Sequence, residues 1–522
     1  MKFSILDILV FLGYCTIVII IGIIISRRVN KKKDSKSYFF ADNTLPWFLV
    51  GSSIIAANIS AEQFIGMSGS GYAMGLTIAT YEWLAAIMLI MVAKWFLPVF
   101  IHKNIYTMPQ FLEERYNHRI KTVMAIFWLF LFVFINLTSI LYLGALALKT
   151  VFDINLGYAI AGLAIMSVLL TVGGGLRTIA NTDVVQVIFL VFGGLATTYL
   201  ALDTVSDGQG VINGFSMLMA KVPEKFHMIL PQSDPNYKYM PGIRSILGGI
   251  WIAGIYYFGA NQYIIQKALG SKNLKEAQRG MVFAGYLKLI IPVLVVIPGI
   301  AAFALNADIA KPDEAYPWLL DRFVPSGIKG FIFAALIAAI VSSLAAIINS
   351  ASTIFSIDIY KVHFKPQISE ENLVKTGRIS SLFIIIISAF LASGLTSLDQ
   401  VFQFIQEYTG LVSPGITAMF LLGLFWKKTT AKAAWIAVLI TIPVPLILKL
   451  VLPGLPFLDN MVVSFLVISG QMVVVSLLEN NKNYTGKKWE LPDGIFKNND
   501  PVFRWASIGI LIILSLLYYI FW

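Results

Sequence analysis

Apolar runs long enough to cross a bilayer follow one another along almost the whole chain, and that pattern leaves few folds open. A membrane-spanning helix needs about 20 predominantly apolar residues. Runs of this kind recur at about fourteen places between residue 5 and Trp522, mostly separated by short polar turns. A water-soluble core could not absorb them, because 58% of the 522 residues are hydrophobic and only 13% are charged. With no water in the hydrocarbon layer to satisfy backbone groups, each run has to be helical. The chain is therefore expected to be an all-α integral membrane protein with about 14 transmembrane helices. A cytosolic enzyme is excluded. The longest polar stretches, residues 204–242 and 479–502, are too short to form an independent catalytic domain.

The formal net charge of +11 reads as loop asymmetry rather than as a nucleic-acid surface, and no nucleic-acid partner is expected. With the amino terminus placed outside, the alternating inner loops carry more than twice as many Lys and Arg as the outer ones, most of the latter lying in two longer loops where the rule weighs least. Both termini are therefore expected outside, in the plasma membrane. Lys94 and Lys288 fall within predicted spans. The run 5–26 has no small-residue cleavage site and is read as a retained helix. Cys15 is the only cysteine, so no internal disulfide can form. The histidines show no ligand spacing, so neither a transition-metal site nor an organic cofactor is expected.

Polar residues at membrane depth are costly and mark candidate function. The second run, GSSIIAANISAEQFIGMSGSGY, places Asn58, Ser60, Glu62 and Gln63 mid-span, followed by Gly66, Gly69 and Gly71. Glycines at that spacing weaken a helix, and a broken helix frees carbonyls that can bind a cation. Glu82 in the third run and Lys288 in the eighth lie at depths that leave about 9 Å between them, room for one sugar ring bracketed by opposite charges. Ser342 and Ser343 in the ninth run offer hydroxyls suited to a hard monovalent cation, although serines bonding back to their own helix are equally common. Tyr81, Tyr256, Tyr257, Phe258 and Phe402 can stack on a ring or fill the bundle.

The stretches IIAANISAEQFIGMSGSGY, GGGLRTIANTDVVQV, YYFGANQYIIQKAL, AAIVSSLAAIINSASTIFSIDIY and QEYTGLVSPGITAMFLLGLFWKKTT resemble the sodium/solute symporter family, most closely its bacterial sodium/galactose branch. The resemblance implies two five-helix repeats of inverted topology, each opening on a broken helix. It divides the chain into a first helix and inner basic loop (1–45), repeat one (46–203), an outer loop (204–242), repeat two (243–425) and three peripheral helices (426–522). The implied function is sodium-coupled symport of a neutral monosaccharide, galactose or glucose, by alternating access. The alternatives are symport of inositol, a sialic acid or an amino acid and, further off, a transporter-like sensor.

By the same resemblance the sugar site would use Asn58, Gln63, Glu82, Lys288 and Gln406. Met67, Tyr81 and Phe402 would form an outer gate and Tyr257 an inner one. Sodium would be held by the carbonyls of Ala56, Ile59 and Ala339 and the hydroxyls of Ser342 and Ser343, with Asp183 on the ion's exit route. Ala85, Gly254 and Phe258 stand where the galactose branch has serine, asparagine and tryptophan, which removes two polar partners and leaves the hexose open.

Overall fold

The computed structural model describes residues 4–29, 35–152, 154–397, 401–480, 489–497 and 500–522. Residues 30–34 of the inner basic loop, and parts of the loop before the last helix, lie outside the described residues. Helix is the regular structure throughout the described chain, apart from an isolated bridge between Leu45 and Ser271. By length and hydropathy, nine of the described helices can cross a membrane, or eleven if two bent pairs each count as one span.

Burial separates the spans into core and rim. The span Ile328–Phe364 is 94% buried over its most apolar window, whereas Pro501–Ile520 is 22% buried and turns a continuous apolar surface outward. In a membrane that surface meets lipid, so its exposure carries no solvation penalty. Helix Ile328–Thr353 packs against Ile5–Val29, Trp47–Asn58 and the long helical stretch Leu156–Val205. That stretch is two helices meeting at Gly175, whose φ of +60° puts it in a region that side chains avoid. Gly75, at φ +77°, likewise ends the outer half of the broken helix, and a Cβ there would run into the backbone of Lys225.

The polar stretch 204–242 is not a bare loop. It forms the helix Val211–Lys221, and Lys225 Nζ then donates to the carbonyls of Tyr72 (3.2 Å) and Ala73 (2.8 Å) at the end of helix Ser68–Met74. An ammonium at a helix carboxyl end satisfies orphan carbonyls and suits the helix dipole.

Several helices contain π-helical turns, in which one extra residue is fitted into the coil. Among the described residues these are Glu62–Met67, Val92–Phe96, Leu131–Leu137, Tyr256–Ala260 and Ile354–Phe364. Such turns cluster at functional sites. Two of them, Glu62–Met67 and Tyr256–Ala260, contribute to the cavity described next.

Candidate substrate and ion sites

The second predicted span breaks where its polar residues lie. Helix Trp47–Asn58 stops at Ile59, whose backbone is extended (φ −80°, ψ 94°), and helical turns resume at Glu62. The break carries its own caps. Ser60 N–H donates to Gln63 Oε1 at 3.1 Å, and Glu62 N–H donates to Ser60 Oγ at 3.1 Å. Part of the polarity of this stretch therefore closes helix ends rather than facing a ligand.

A cavity lies beside the break, with about 670 Å³ of space between atoms, including the part open to its surroundings. Asn58, Gln63, Glu82, Lys288 and Gln406 all line it, so the structure gathers the predicted sugar-binding residues from four helices. Tyr81, Phe402 and Tyr257 line it as well. Met67 does not; it is fully buried next to Gly66, where the broken helix presses on Phe402.

The expected gap between Glu82 and Lys288 is absent. Lys288 Nζ lies 2.6 Å from Glu82 Oε2 and also donates to Asn58 Oδ1. Two opposite charges inside a low-dielectric bundle pair directly unless something separates them. The depth estimate treated the helices as straight and upright, whereas the third span enters through a tight turn over Gly75–Ala79. From Asn58 the network runs on: its Nδ2 donates to Tyr257 Oη at 2.9 Å, and Tyr263 Oη donates to the same oxygen at 2.7 Å. The Tyr81 and Phe402 rings meet edge to face with centroids 5.7 Å apart. Phe258 lies under the Lys288 ammonium, 5.5 Å from ring centroid to Nζ.

The departures from the galactose pattern leave an apolar wall. A Cβ at Gly254 would run into Met88 Sδ, so the thioether fills the space that a longer side chain would need. Ala85 and Met88 line the same side of the cavity. Phe457 and Met461, on a helix that the sequence assigns to the peripheral group, line it as well.

Two of the predicted ion ligands meet. Ser343 Oγ donates to the carbonyl of Ala56 at 2.8 Å, which brings helix Ile328–Thr353 against the broken helix just before its break. Ala339 lies one turn earlier on the same helix, and Ile59 is the extended residue of the break itself. Carbonyl and hydroxyl oxygens are what a hard cation requires, so the donor set fits sodium. Ser342 is engaged elsewhere, since its hydroxyl donates to Asp183 Oδ1.

Asp183, expected on an exit route, lies in a buried polar network. It is fully buried, accepts hydrogen bonds from Ser53 and Ser342, and pairs with Lys267 Nζ at 3.4 Å. Lys267 falls one position past the seventh apolar run, residues 243–266, and so reads from the sequence as an inner-loop residue. In the structure helix Gln262–Leu269 carries it into the bundle, where it is fully buried. The loop assignment is therefore corrected: burial is tolerated because Asp183 supplies the opposite charge. Sequence reasoning also missed Ser53 and Tyr263, since a lone serine or tyrosine in an apolar run has no distinguishing spacing.

A helix broken at mid-span, a cavity with buried polar and charged side chains at the break and a serine of another helix bonded to the carbonyl just before it fit a carrier that takes a small solute together with a cation. A family model described as Sodium:solute symporter family matches residues 38–441. The chain is 48% identical to a sodium/glucose cotransporter of Vibrio parahaemolyticus, covering 99% of this chain and 98% of that one. It is 32% identical to the sodium/myo-inositol cotransporter 2 of Mus musculus, over 82% of this chain and 68% of the relative. In fold it is similar to a Na+-coupled sialic acid symporter solved in a substrate-bound outward-open state, with a TM-score of 0.80, 24% identity, and coverage of 91% and 98% of the two chains. The chain belongs to the sodium:solute symporter family: it is a multi-pass, sodium-coupled solute symporter.

Proposed function

We propose that this symporter takes up a neutral monosaccharide, glucose or galactose, with sodium by alternating access across the plasma membrane. The observation that carries this reading is the state of Lys288. Its ammonium is held by Glu82 and Asn58, and Glu62 adds another carboxylate to the same cavity. A solute carboxylate would find no available cation there, which argues against sialic acids and amino acids. A cyclic polyol needs only the carboxylate, amide and hydroxyl groups present. The relatives named for glucose and myo-inositol make inositol the second reading.

The architecture behind this reading has fourteen spans with both termini outside and two inverted five-helix repeats. Three shorter apolar helices, Ile5–Ile17, Trp47–Asn58 and Leu156–Leu169, bring the nine long helices and two bent pairs up to that number. A backbone break at Asn261 (φ −91°, ψ 121°) in the seventh predicted span is the counterpart of the break at Ile59. One sodium moving down about 100 mV and a tenfold gradient releases about 3.7 kcal/mol, enough for roughly 500-fold accumulation. The deciding test is uptake of labelled hexoses, inositol, sialic acid and amino acids by proteoliposomes with and without a sodium gradient. Hexose uptake that requires sodium supports the reading; uptake of an acidic solute alone overturns it.

Tyr257 serves as the inner gate in this scheme. Its ring lines the cavity, and its hydroxyl ties the broken helix to the seventh span through Asn58. The expected order of transport rates is wild type above Tyr257→Phe above Tyr257→Ala, with Phe keeping the stack and losing the tie. Equal initial rates in the three proteins would remove Tyr257 from the gate.

Sodium held by the predicted ion ligands would bridge the broken helix and the ninth predicted span and favour the state that binds sugar. By linkage, sugar then raises sodium affinity by the same factor. Ser343→Ala removes a ligand and the contact with Ala56 without touching the cavity. Isothermal titration of sugar with and without sodium should show a smaller sodium effect in Ser343→Ala than in wild type. The same enhancement in both proteins contradicts the assignment.

A further inference from the structure

Among the described residues that line the cavity, Lys288 is the single cation, while Glu62 and Glu82 are both carboxylates. Lys288 is committed to Glu82 Oε2, to Asn58 Oδ1 and to the face of Phe258. Glu62 is buried, and its Oε1 has no hydrogen-bond partner. The other charged groups on neighbouring elements are turned away or already engaged. Glu407 pairs with Lys449 at the surface, Asp313 accepts from Val401 N–H at 3.1 Å against Gly69, and Lys149, Asp321 and Arg322 are exposed. The titratable hydroxyls facing this region are those of Tyr81, which lines the cavity, and of Tyr257 and Tyr263, which bond to one another.

An ionised carboxylate in such a place, buried and without a counter-ion of its own, is less favourable than the same group carrying a proton. A neutral acid also has what part of this cavity's wall lacks. It is a hydrogen-bond donor, and the wall built from Ala85, Met88 and Gly254 has no donor on its side chains. We propose that Glu62 works as a neutral carboxylic acid whose proton donates a hydrogen bond to a hydroxyl of the bound solute. The assignment rests on the sugar reading above for the identity of the acceptor, but not for the proton itself. It makes Glu62 a specificity-determining residue: as an acid it favours uncharged polyols, whereas as an anion it would favour a cationic amino sugar.

The test compares full-length wild type with Glu62→Gln, a neutral isostere that keeps a donor. In sugar-free protein, the infrared stretch of a protonated carboxyl should be present in wild type and weaker by one group in Glu62→Gln. Spectra that are identical in this region overturn the proposal, whatever solute the protein carries. In proteoliposomes, sodium-driven glucose uptake by wild type should fall about tenfold from neutral to alkaline pH, while Glu62→Gln keeps about half the neutral rate without that fall. The same alkaline fall in both proteins, or a Glu62→Gln protein that is folded and still binds sodium but takes up no sugar, overturns the role. So does a wild-type preference for glucosamine over glucose that Glu62→Gln abolishes. Absence of sodium-driven sugar uptake by wild type at every pH would sink the sugar reading and with it the solute contact, leaving the infrared band to decide the proton alone.

Discussion

Replacing Lys288 with alanine is expected to abolish sodium-driven uptake and to destabilise the protein, with Glu82→Ala giving the same pair of effects. The two side chains lie 2.6 Å apart and are almost fully buried, so deleting either strands the other charge inside the bundle. Stranding a buried charge costs about 3–5 kcal/mol. The two effects separate in a neutral pair. Lys288→Met combined with Glu82→Gln should recover much of the thermal stability and none of the uptake, because the ammonium and the carboxylate that line the cavity are gone. Thermal unfolding in detergent together with initial uptake rates tests this. Near-normal transport kinetics in either single variant would remove the pair from the binding site.

The second large effect is expected at Asp183. This carboxylate holds two serines from different helices and one buried ammonium, so it joins helix Trp47–Asn58 (Ser53), helix Gln262–Leu269 (Lys267) and helix Ile328–Thr353 (Ser342). Asp183→Ala leaves Lys267 without a counter-ion, and the loss expected for a broken buried pair is again about 3–5 kcal/mol. Much of that should return when Lys267 is changed to Met in the same protein. The measurement is the yield and melting temperature of purified protein for the single and double variants. A single variant as stable as wild type would show that water reaches Lys267 and that the pair is not dry.

Much of this was legible in the sequence because burying apolar runs in a membrane allows one solution, a bundle of helices, and because polar residues at depth need a reason. Asn58, Glu82 and Lys288 could be singled out on that ground, and all three line the cavity. Spacing along a chain cannot tell how far apart two helices stand, so the direct contact between Glu82 and Lys288 was invisible, as was the withdrawal of Met67 from the cavity. Lys267 was lost for a related reason. A lysine just past an apolar run looks like a loop residue until a partner 84 positions away is seen beside it. Gly254 was recognised as a departure, but only packing shows that Met88 occupies the space it leaves.

The π-helical turns carry a consequence for which chain lengths the fold tolerates. Each fits one surplus residue into a helix, and a surplus residue rotates everything beyond it by about 100° around the axis. The turn Glu62–Met67 therefore sets the compass bearing of helix Ser68–Met74, and Leu131–Leu137 sets that of helix Thr138–Phe152. Shortening either turn by one residue would mend the local hydrogen bonding and swing the downstream side chains toward the wrong neighbours. These short stretches should thus be intolerant of changes in length even where they accept changes in side chain, a grammar of insertion and deletion that composition does not reveal.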